Sequence, residues 1–193
     1  MSSPYKTQLL DDDVFTIENF LSVEQCEQLI AFSESLGFEA ATVNTIGGHQ
    51  MLPDWRNNTR VMTDDLERAA QLWERLRPFV PETIDGRKAV GVNERLRFYR
   101  YDPGRQFDWH SDGCYQRETN NERSYLTFMV YLNGGVSGGE TSFTDDRVTP
   151  QFQDFSVTPM AGVVLVFTHA LVHKGEPVAE GRKYVLRTDV MYD

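Results

Sequence analysis

The sequence predicts a mainly β protein in which short antiparallel strands form a closed or sandwiched core, braced by two helices near the N-terminus. Two helical segments precede residue 90, and short β-type runs separated by Gly, Pro, Asn and Asp follow residue 89. Neither a linker nor an internal repeat divides the chain. We therefore expect one domain over residues 1–193, with support over 14–90 and the core over about 91–192.

The support begins with a loosely alternating segment, residues 14–20, which is predicted as a short strand. Ser22 then opens a helix, because Gln25 three positions later completes a capping-box pattern. Apolar residues recur at helical spacing until Gly37, where the helix is expected to end.

A second helix is predicted after an irregular stretch. Residues 40–62 contain Gly47 and Gly48 and are expected to form strand and loop. An apolar stripe at helical spacing begins near residues 63–64, and Pro78 ends it.

The remainder of the chain is read as strands. Each run is rich in β-branched or aromatic residues and is bounded by turn residues. The predicted strands are 96–101, 107–110, 125–132, 141–144, 155–158, 163–167, 171–174 and 183–192.

Composition narrows the functional classes. The formal net charge of −10 argues against nucleic acid as a partner, although arginines cluster locally near residue 97. The longest apolar run, residues 160–167, is too short to cross a bilayer, and residues 1–13 lack a secretory signal pattern. Cys26 and Cys114 suggest no disulfide framework, so a reducing cytoplasm is expected.

Three side chains form a candidate metal site. His110 and Asp112 are two residues apart, and alternate residues of a strand project from the same face. His173 follows 61 residues after Asp112 on another predicted strand, which an antiparallel barrel can place alongside the first. Two imidazoles and one carboxylate on one face of an ion suit iron(II) and leave coordination positions open.

This metal-site hypothesis has alternatives. An isolated His-x-Asp pair is common without a metal, and a single histidine is more often a hydrogen-bonded core or surface residue. His169 shares strand parity with His173 and is a rival ligand.

Lys183 lies ten residues after His173, beyond turn residues that can bring the chain back as a strand. If its ammonium points into the barrel, it needs an anionic partner to offset the cost of desolvation. The far carboxylate of a keto acid that chelates the metal would supply one. Alternatively, Lys183 is an ordinary exposed lysine.

The order of several motifs resembles the iron(II)- and 2-oxoglutarate-dependent oxygenases, in particular the prolyl 4-hydroxylase-like branch. The resemblance covers roughly residues 93–192. The matching segments are 96–104 (LRFYRYDPG), His110-Ser111-Asp112, 126–133 (LTFMVYLN), 138–143 (GGETSF), 159–162 (PMAG), His173, Pro177-Val178 and 181–184 (GRKY).

The resemblance implies a double-stranded β-helix, also called a jelly roll, with a cupin-like core. It also implies Fe(II) held by His110, Asp112 and His173, with 2-oxoglutarate and O2 as cosubstrates and ascorbate as a supporting reductant. The implied reaction hydroxylates an unactivated C–H bond and releases succinate and CO2. The carboxylate of Asp112 favours hydroxylation, or a dealkylation driven by hydroxylation, over halogenation, because related halogenases lack this carboxylate.

The resemblance further assigns residues to the cosubstrate. Tyr101 matches a tyrosine that hydrogen-bonds it near the iron, and Tyr131 matches one that joins the basic residue, here Lys183, at the distal carboxylate. Arg187 departs from the branch, where a smaller residue is usual, and shares strand parity with Lys183. The two cations could therefore exchange roles.

The substrate implied is a prolyl or other amino-acid side chain, in a protein or peptide or as a free compound. The polar segments 51–60 and 114–123 are expected to be loops that carry specificity. Trp55, Arg56 and Arg60 could clasp a substrate carboxylate or peptide, or could be solvated or structural. Two other functions stay open: a cupin-like metal enzyme that uses no keto acid, and a non-catalytic jelly-roll binding protein.

Overall fold

The computed structural model describes residues 2–45, 48–50 and 52–193. The predicted loop positions Gly47 and Met51 lie outside these ranges. The described part of the chain contains two α-helices and 18 β-strands, so the predicted mainly β character with two helices is confirmed.

The first helix, α1, spans Val23–Leu36, and its N-terminus is the predicted capping box. The backbone N–H of Gln25 donates to Ser22 Oγ, and the Gln25 side chain accepts from the Ser22 N–H, each at 3.1 Å. The second helix, α2, spans Leu66–Leu76, with Asp65 as its N-cap. It begins two to three residues later than expected, because the preceding residues belong to a strand.

Ten strands form one large, antiparallel sheet. These are β1 (Tyr5–Leu10), β2 (Val14–Glu18), β3 (Glu39–Ala40), β6 (Thr59–Asp64), β7 (Thr83–Ile84), β8 (Arg87–Val92), β9 (Arg95–Tyr101), β11 (Arg123–Tyr131), β15 (Val164–Thr168) and β18 (Lys183–Tyr192). Their order is β1-β2-β15-β11-β18-β9-β6-β3, and β8 pairs with β18 and with β7.

The other strands form a small sheet and two ribbons. The small sheet consists of β10 (Phe107–His110), β16 (Val172–Gly175), β13 (Thr141–Thr144) and β14 (Phe155–Val157), in that order. The ribbons pair β12 (Ser137–Gly138) with β17 (Val178–Glu180), and β4 (Val43–Thr45) with β5 (Gly48–Gln50).

One face of the large sheet packs against the helices. Phe32 of α1 meets Phe98 of β9 with ring centroids 5.9 Å apart, and Leu72 and Leu76 of α2 join the same apolar cluster. Apolar residues that are removed from water here stabilise the fold at about 25 cal/mol per Å² of buried surface.

The opposite face of the large sheet packs against the small sheet. Phe143 of β13 contacts Phe167 of β15 at 5.2 Å between ring centroids, in a second apolar cluster that also contains Leu165 and Val185. The two sheets therefore enclose an interior that the helices do not reach.

Several predicted strand boundaries differ by one or two residues from the observed ones. The strand predicted over 14–20 ends at Glu18, and the one predicted over 125–132 spans Arg123–Tyr131. Strands β1, β7, β8, β12 and β17 were not predicted; the mostly exposed residues of the edge strand β1, for example, lack a periodic apolar face. Among the described residues, neither helix has the length and apolar content required to cross a bilayer.

Candidate metal centre and its cavity

A cavity of about 490 Å³ lies between the two sheets and contains the predicted metal ligands in its wall. Strands β9, β11 and β18 of the large sheet and β10 and β16 of the small sheet line it. Trp55 and Arg56, which precede β6, and Arg60 of β6 line it as well. Its volume is within the range of pockets that bind small molecules.

The structure brings His110, Asp112 and His173 together. His110 and His173 are directly paired across β10 and β16, which explains how residues 63 positions apart meet. The Nε2 atoms of His110 and His173 lie 3.9 and 3.7 Å from Asp112 carboxylate oxygens, and one ligand atom from each residue falls within 4.8 Å of the others. Asp112 follows the end of β10, so it is a loop ligand rather than the strand residue expected.

Both histidines present Nε2 to the site. His110 Nδ1 lies 2.6 Å from the Asp108 carbonyl oxygen, and His173 Nδ1 lies 3.0 Å from that of Leu171. A ring N–H donated to a carbonyl places the lone pair on Nε2, as metal ligation requires. Burial, reinforced by the neighbouring His173, lowers the pKa of His110 to about 3, and burial also lowers the pKa of His173. Both rings are therefore neutral at pH 7.

Asp112 is held as a carboxylate by its neighbours. Burial alone would raise its pKa, but the charge of Arg187, together with the hydrogen bond from Thr127, outweighs burial and lowers that pKa. Arg187 Nη2 lies 3.0 Å from Asp112 Oδ2, and the Thr127 hydroxyl donates to the same oxygen at 2.6 Å. Two neutral imidazoles and an ionised carboxylate thus converge, and this donor set fits iron(II).

His169, the rival ligand, has another role. Its Nδ1 lies 3.0 Å from Thr127 Oγ1, and its Nε2 lies 2.8 Å from Ser124 Oγ. Because Thr127 donates to Asp112, the bonds are satisfied if Ser124 donates to His169 and His169 donates to Thr127. His169 therefore orients Asp112 through Thr127 and has no free ring nitrogen for a metal.

Lys183 lies in the same cavity and is only 2 % exposed. Its ammonium donates to the Gly139 carbonyl oxygen at 2.5 Å and forms no salt bridge with a described residue. Burial lowers the pKa of Lys183 to about 7, although the more distant negative charge of Glu140 acts in the opposite direction and raises it. The alternative of an exposed lysine is therefore wrong.

Two buried tyrosines surround this ammonium. Lys183 Nζ lies 5.2 Å from the ring centroid of Tyr101 and 5.4 Å from that of Tyr131. Tyr101 is paired with Lys183 across β9 and β18, and the Tyr131 hydroxyl donates to Thr141 Oγ1 at 2.7 Å. Burial raises the pKa of both phenols, so they remain protonated hydrogen-bond donors.

Arg187 does not share this position. Lys183 and Arg187 project from the same face of β18 four residues apart, but the Arg187 guanidinium lies against Asp112 and Asp189. It therefore lies at the metal end of the cavity, while Lys183 lies among the tyrosines.

The predicted clasp residues also line the cavity. The guanidinium carbon of Arg56 lies 4.2 Å from the ring centroid of Phe107, and Arg60 donates to Thr42 Oγ1 at 2.8 Å. The Trp55 indole N–H donates to the Trp109 carbonyl oxygen at 3.1 Å, so it links the segment before β6 to β10. Cys114, at the start of the other predicted loop, is exposed and lies 3.2 Å from Arg123 Nη2.

Sequence reasoning missed four polar residues of the site: Ser124 and Thr127 of the Asp112 network, and the ion pair of partly buried Arg97 with buried Asp189. Asp189 Oδ2 accepts from Arg97 at 3.1 Å, and Asp189 Oδ1 accepts from Arg187 at 3.2 Å. The alternation along β18 could have identified Asp189, because it places residues 183, 187 and 189 on one face of the strand.

Known proteins resemble this chain in sequence. Residues 96–188 match the family model of the 2OG-Fe(II) oxygenase superfamily. A probable prolyl 4-hydroxylase 3 of Arabidopsis thaliana is 25% identical over an alignment 199 residues long, gaps included, which covers 88% of this chain and 66% of that protein. This chain thus spans less than two thirds of the length of that relative.

Solved structures share the fold. A prolyl-4-hydroxylase of Pseudomonas putida matches with a TM-score of 0.69 and 19% identity, and the match covers 93% of each chain. A viral collagen prolyl hydroxylase of Paramecium Bursaria Chlorella virus-1, solved with 2OG, matches with a TM-score of 0.63 and 21% identity over 94% of this chain and 97% of that one.

Proposed function

We propose that this chain, whose residues 96–188 match the family model of the 2OG-Fe(II) oxygenase superfamily, is an Fe(II)- and 2-oxoglutarate-dependent dioxygenase that hydroxylates an unactivated C–H bond. The target in this proposal is a prolyl or other amino-acid side chain, in a protein or peptide or as a free compound. We interpret the two facing sheets as a double-stranded β-helix that holds the site between them.

In this proposal, His110, Asp112 and His173 hold the iron through two Nε2 atoms and a carboxylate. Iron(II), when bound with 2-oxoglutarate and O2, supplies the oxidising chemistry that yields succinate, CO2 and a hydroxylated product. Thr127 and Arg187 fix one oxygen of Asp112, which leaves the other, Oδ1, for the metal.

Lys183 is assigned to the distal carboxylate of 2-oxoglutarate. The observation that carries the proposal is this buried ammonium, without an acidic partner among the described residues, in the same cavity as the three metal ligands. A buried cation without a counter-charge is unfavourable, and a bound carboxylate removes that cost. The ring of Tyr101 also lies beside this ammonium, so its phenol can add a donor to the same ligand, and Tyr131 can do so if its hydroxyl turns away from Thr141.

Arg187 is assigned to positioning Asp112, because its guanidinium already bonds that carboxylate and Asp189. The choice between Lys183 and Arg187 thereby follows from which end of the cavity each side chain occupies. A cupin-like enzyme without a keto acid would have no use for Lys183 among the tyrosines.

The experiment is an anaerobic titration of the Fe(II)-loaded protein with 2-oxoglutarate. We expect a visible metal-to-ligand charge-transfer band that saturates at one equivalent. Under air, with ascorbate as reductant, we expect succinate and, in a peptide and amino-acid panel, a product that has gained one oxygen atom.

Iron omission and EDTA are the controls for both readouts. A protein that binds iron without forming the band favours the cupin-like alternative. A protein that binds neither iron nor 2-oxoglutarate favours the non-catalytic alternative.

A further inference from the structure

The cavity carries more positive charge than the proposed cofactors need. The charged residues that line it among those described are cationic Arg56, Arg60, Arg97, Lys183 and Arg187, and anionic Asp112 and Asp189. The charges of Fe(II) and of the 2-oxoglutarate dianion cancel each other. An excess of three positive charges therefore persists in the loaded site of a protein whose net charge is −10.

Arg56 and Arg60 carry most of this excess. Arg97 and Arg187 share Asp189, and Arg187 also bonds Asp112. Within the described ranges, neither Arg56 nor Arg60 forms a salt bridge. Both instead share one carbonyl oxygen, that of Thr42, at 3.4 Å each.

Arg56 is built into the wall rather than solvated. It is 5 % exposed, its Nε donates to Asn58 Oδ1 at 2.9 Å, and its Nη2 is buried with no hydrogen-bond partner among the described residues. An unsatisfied donor of a buried guanidinium is costly, and an anion that enters the cavity would satisfy it.

The electrostatic environment of this part of the cavity is consistent with an anion site. Burial lowers the pKa of Arg60, and the nearby charges of Arg56 and Arg97 lower it further. Burial raises the pKa of the Tyr99 phenol, but the charges of Arg187, Arg56 and Arg97 outweigh it, so the net shift is downward.

The guanidinium pair lies close to the metal centre. The Arg56 guanidinium packs over Phe107 at 4.2 Å, and the Phe107 ring stacks on the His110 imidazole with centroids 3.5 Å apart and planes 17° apart. Arg56 is thus separated from a metal ligand by one aromatic ring. A small molecule whose carboxylate bonds Arg56 would present its carbon skeleton to the metal centre.

We propose that Arg56 and Arg60 bind the free carboxylate of the substrate, so that this protein, if it is the proposed oxygenase, hydroxylates a small amino acid rather than an internal residue of a peptide. An internal residue has no main-chain carboxylate to offer the buried Arg56. A free amino acid supplies one, and the cavity of about 490 Å³ has room for it beside 2-oxoglutarate.

The test uses matched pairs of ligands. The full-length protein is loaded anaerobically with Fe(II) and 2-oxoglutarate, and the charge-transfer band is followed while each L-amino acid or its amide is added. An uncharged peptide with an internal proline is the third arm. We expect at least one amino acid to perturb the band with an affinity about tenfold or more above that of its amide, since charged hydrogen bonds are the stronger ones.

Variants locate that preference in the two arginines. We expect Arg60→Gln and Arg56→Gln each to weaken binding of the preferred amino acid by about tenfold, while the affinity for its amide stays unchanged. Arg56→Lys, which keeps the charge, should retain part of the preference and guards against misfolding of Arg56→Gln. Arg77→Gln, an exposed arginine at the end of α2, is the matched control and should change nothing.

The outcomes separate this inference from the proposed function. If the band forms but every amide or the internal-proline peptide binds as tightly as the acids, the carboxylate site is refuted while the oxygenase proposal stands. The carboxylate site is also refuted if both Gln variants bind the preferred amino acid with unchanged affinity. If no band forms with 2-oxoglutarate, both proposals fall together.

Discussion

The two faces of strand β18 differ in kind although they share one backbone. Leu186 and Val190 point toward the helices and are fully buried in apolar surroundings. Lys183 and Asp189 point into the cavity and are buried as well, Arg187 between them is partly buried, and all three are charged. Alternate residues of a strand face opposite sides, so a single strand separates the groups that stabilise the fold from those proposed for chemistry.

This separation teaches that burial alone does not define a core. Charged residues on the cavity face are tolerated because each has a partner or a proposed ligand, whereas the opposite face needs none. Substitutions on the two faces should therefore have separable effects, which the following experiments test.

The largest expected effect is that of Asp112→Ala on the cavity side. Removal of the only carboxylate of the proposed ligand set should abolish iron binding and succinate formation, and should leave Arg187 short of a partner. Iron content after desalting and succinate release measure this. Wild-type turnover in this variant would show that the metal lies elsewhere.

On the helix side, Leu186→Ala should lower the free energy of unfolding by about 2–5 kcal/mol, the usual loss for a large side chain deleted from a packed core. Urea denaturation followed by circular dichroism measures it. At low temperature, the folded fraction should still form the 2-oxoglutarate charge-transfer band. A folded variant that has lost the band would break the proposed separation of the two faces.

Lys183→Ala should weaken 2-oxoglutarate binding about thirtyfold or more, because the far carboxylate would lose its buried partner. Anaerobic titration of the band gives the affinity. Arg182→Ala is the matched control. Arg182 is adjacent to Lys183 in the chain, but its guanidinium is half exposed and pairs with Asp102 outside the cavity. Equal effects of the two substitutions would contradict the assignment of Lys183.

A smaller effect is expected from pH. The pKa of Lys183 is about 7 without ligand, and a bound carboxylate must raise it, so binding takes up a proton above pH 7. The affinity for 2-oxoglutarate should be greatest below pH 7 and should fall as pH rises, by at most about tenfold per pH unit. Calorimetry in buffers of different ionisation enthalpy measures the uptake. Lys183→Arg should remove it, because arginine remains charged.

Much of the fold and of the candidate site was predictable because it is local or ordered along the chain. The capping box at Ser22 and the alternation of β18 are each visible within ten residues. His110 and Asp112 are two positions apart, and the order of the motifs favours His173 over His169 as the third ligand.

The missed features depend on long-range contacts. β1 is predicted by no periodic pattern, because its residues are mostly exposed and it exists by pairing with β2. The role of His169 follows from Ser124 and Thr127, which lie more than 40 residues away. That Arg187 lies against Asp112 rather than beside Lys183 is a matter of side-chain position, which strand parity does not distinguish.

The positions of the three proposed ligands have one more consequence. His110 and His173 sit on the small sheet, whose strands β10 and β16 pair irregularly, whereas Asp112 is bonded to Thr127 on the large sheet. A ferrous ion bound by all three residues would link the two sheets, and the apoprotein would lack this link. We therefore expect bound iron to slow proteolysis of the folded chain in addition to its role in turnover.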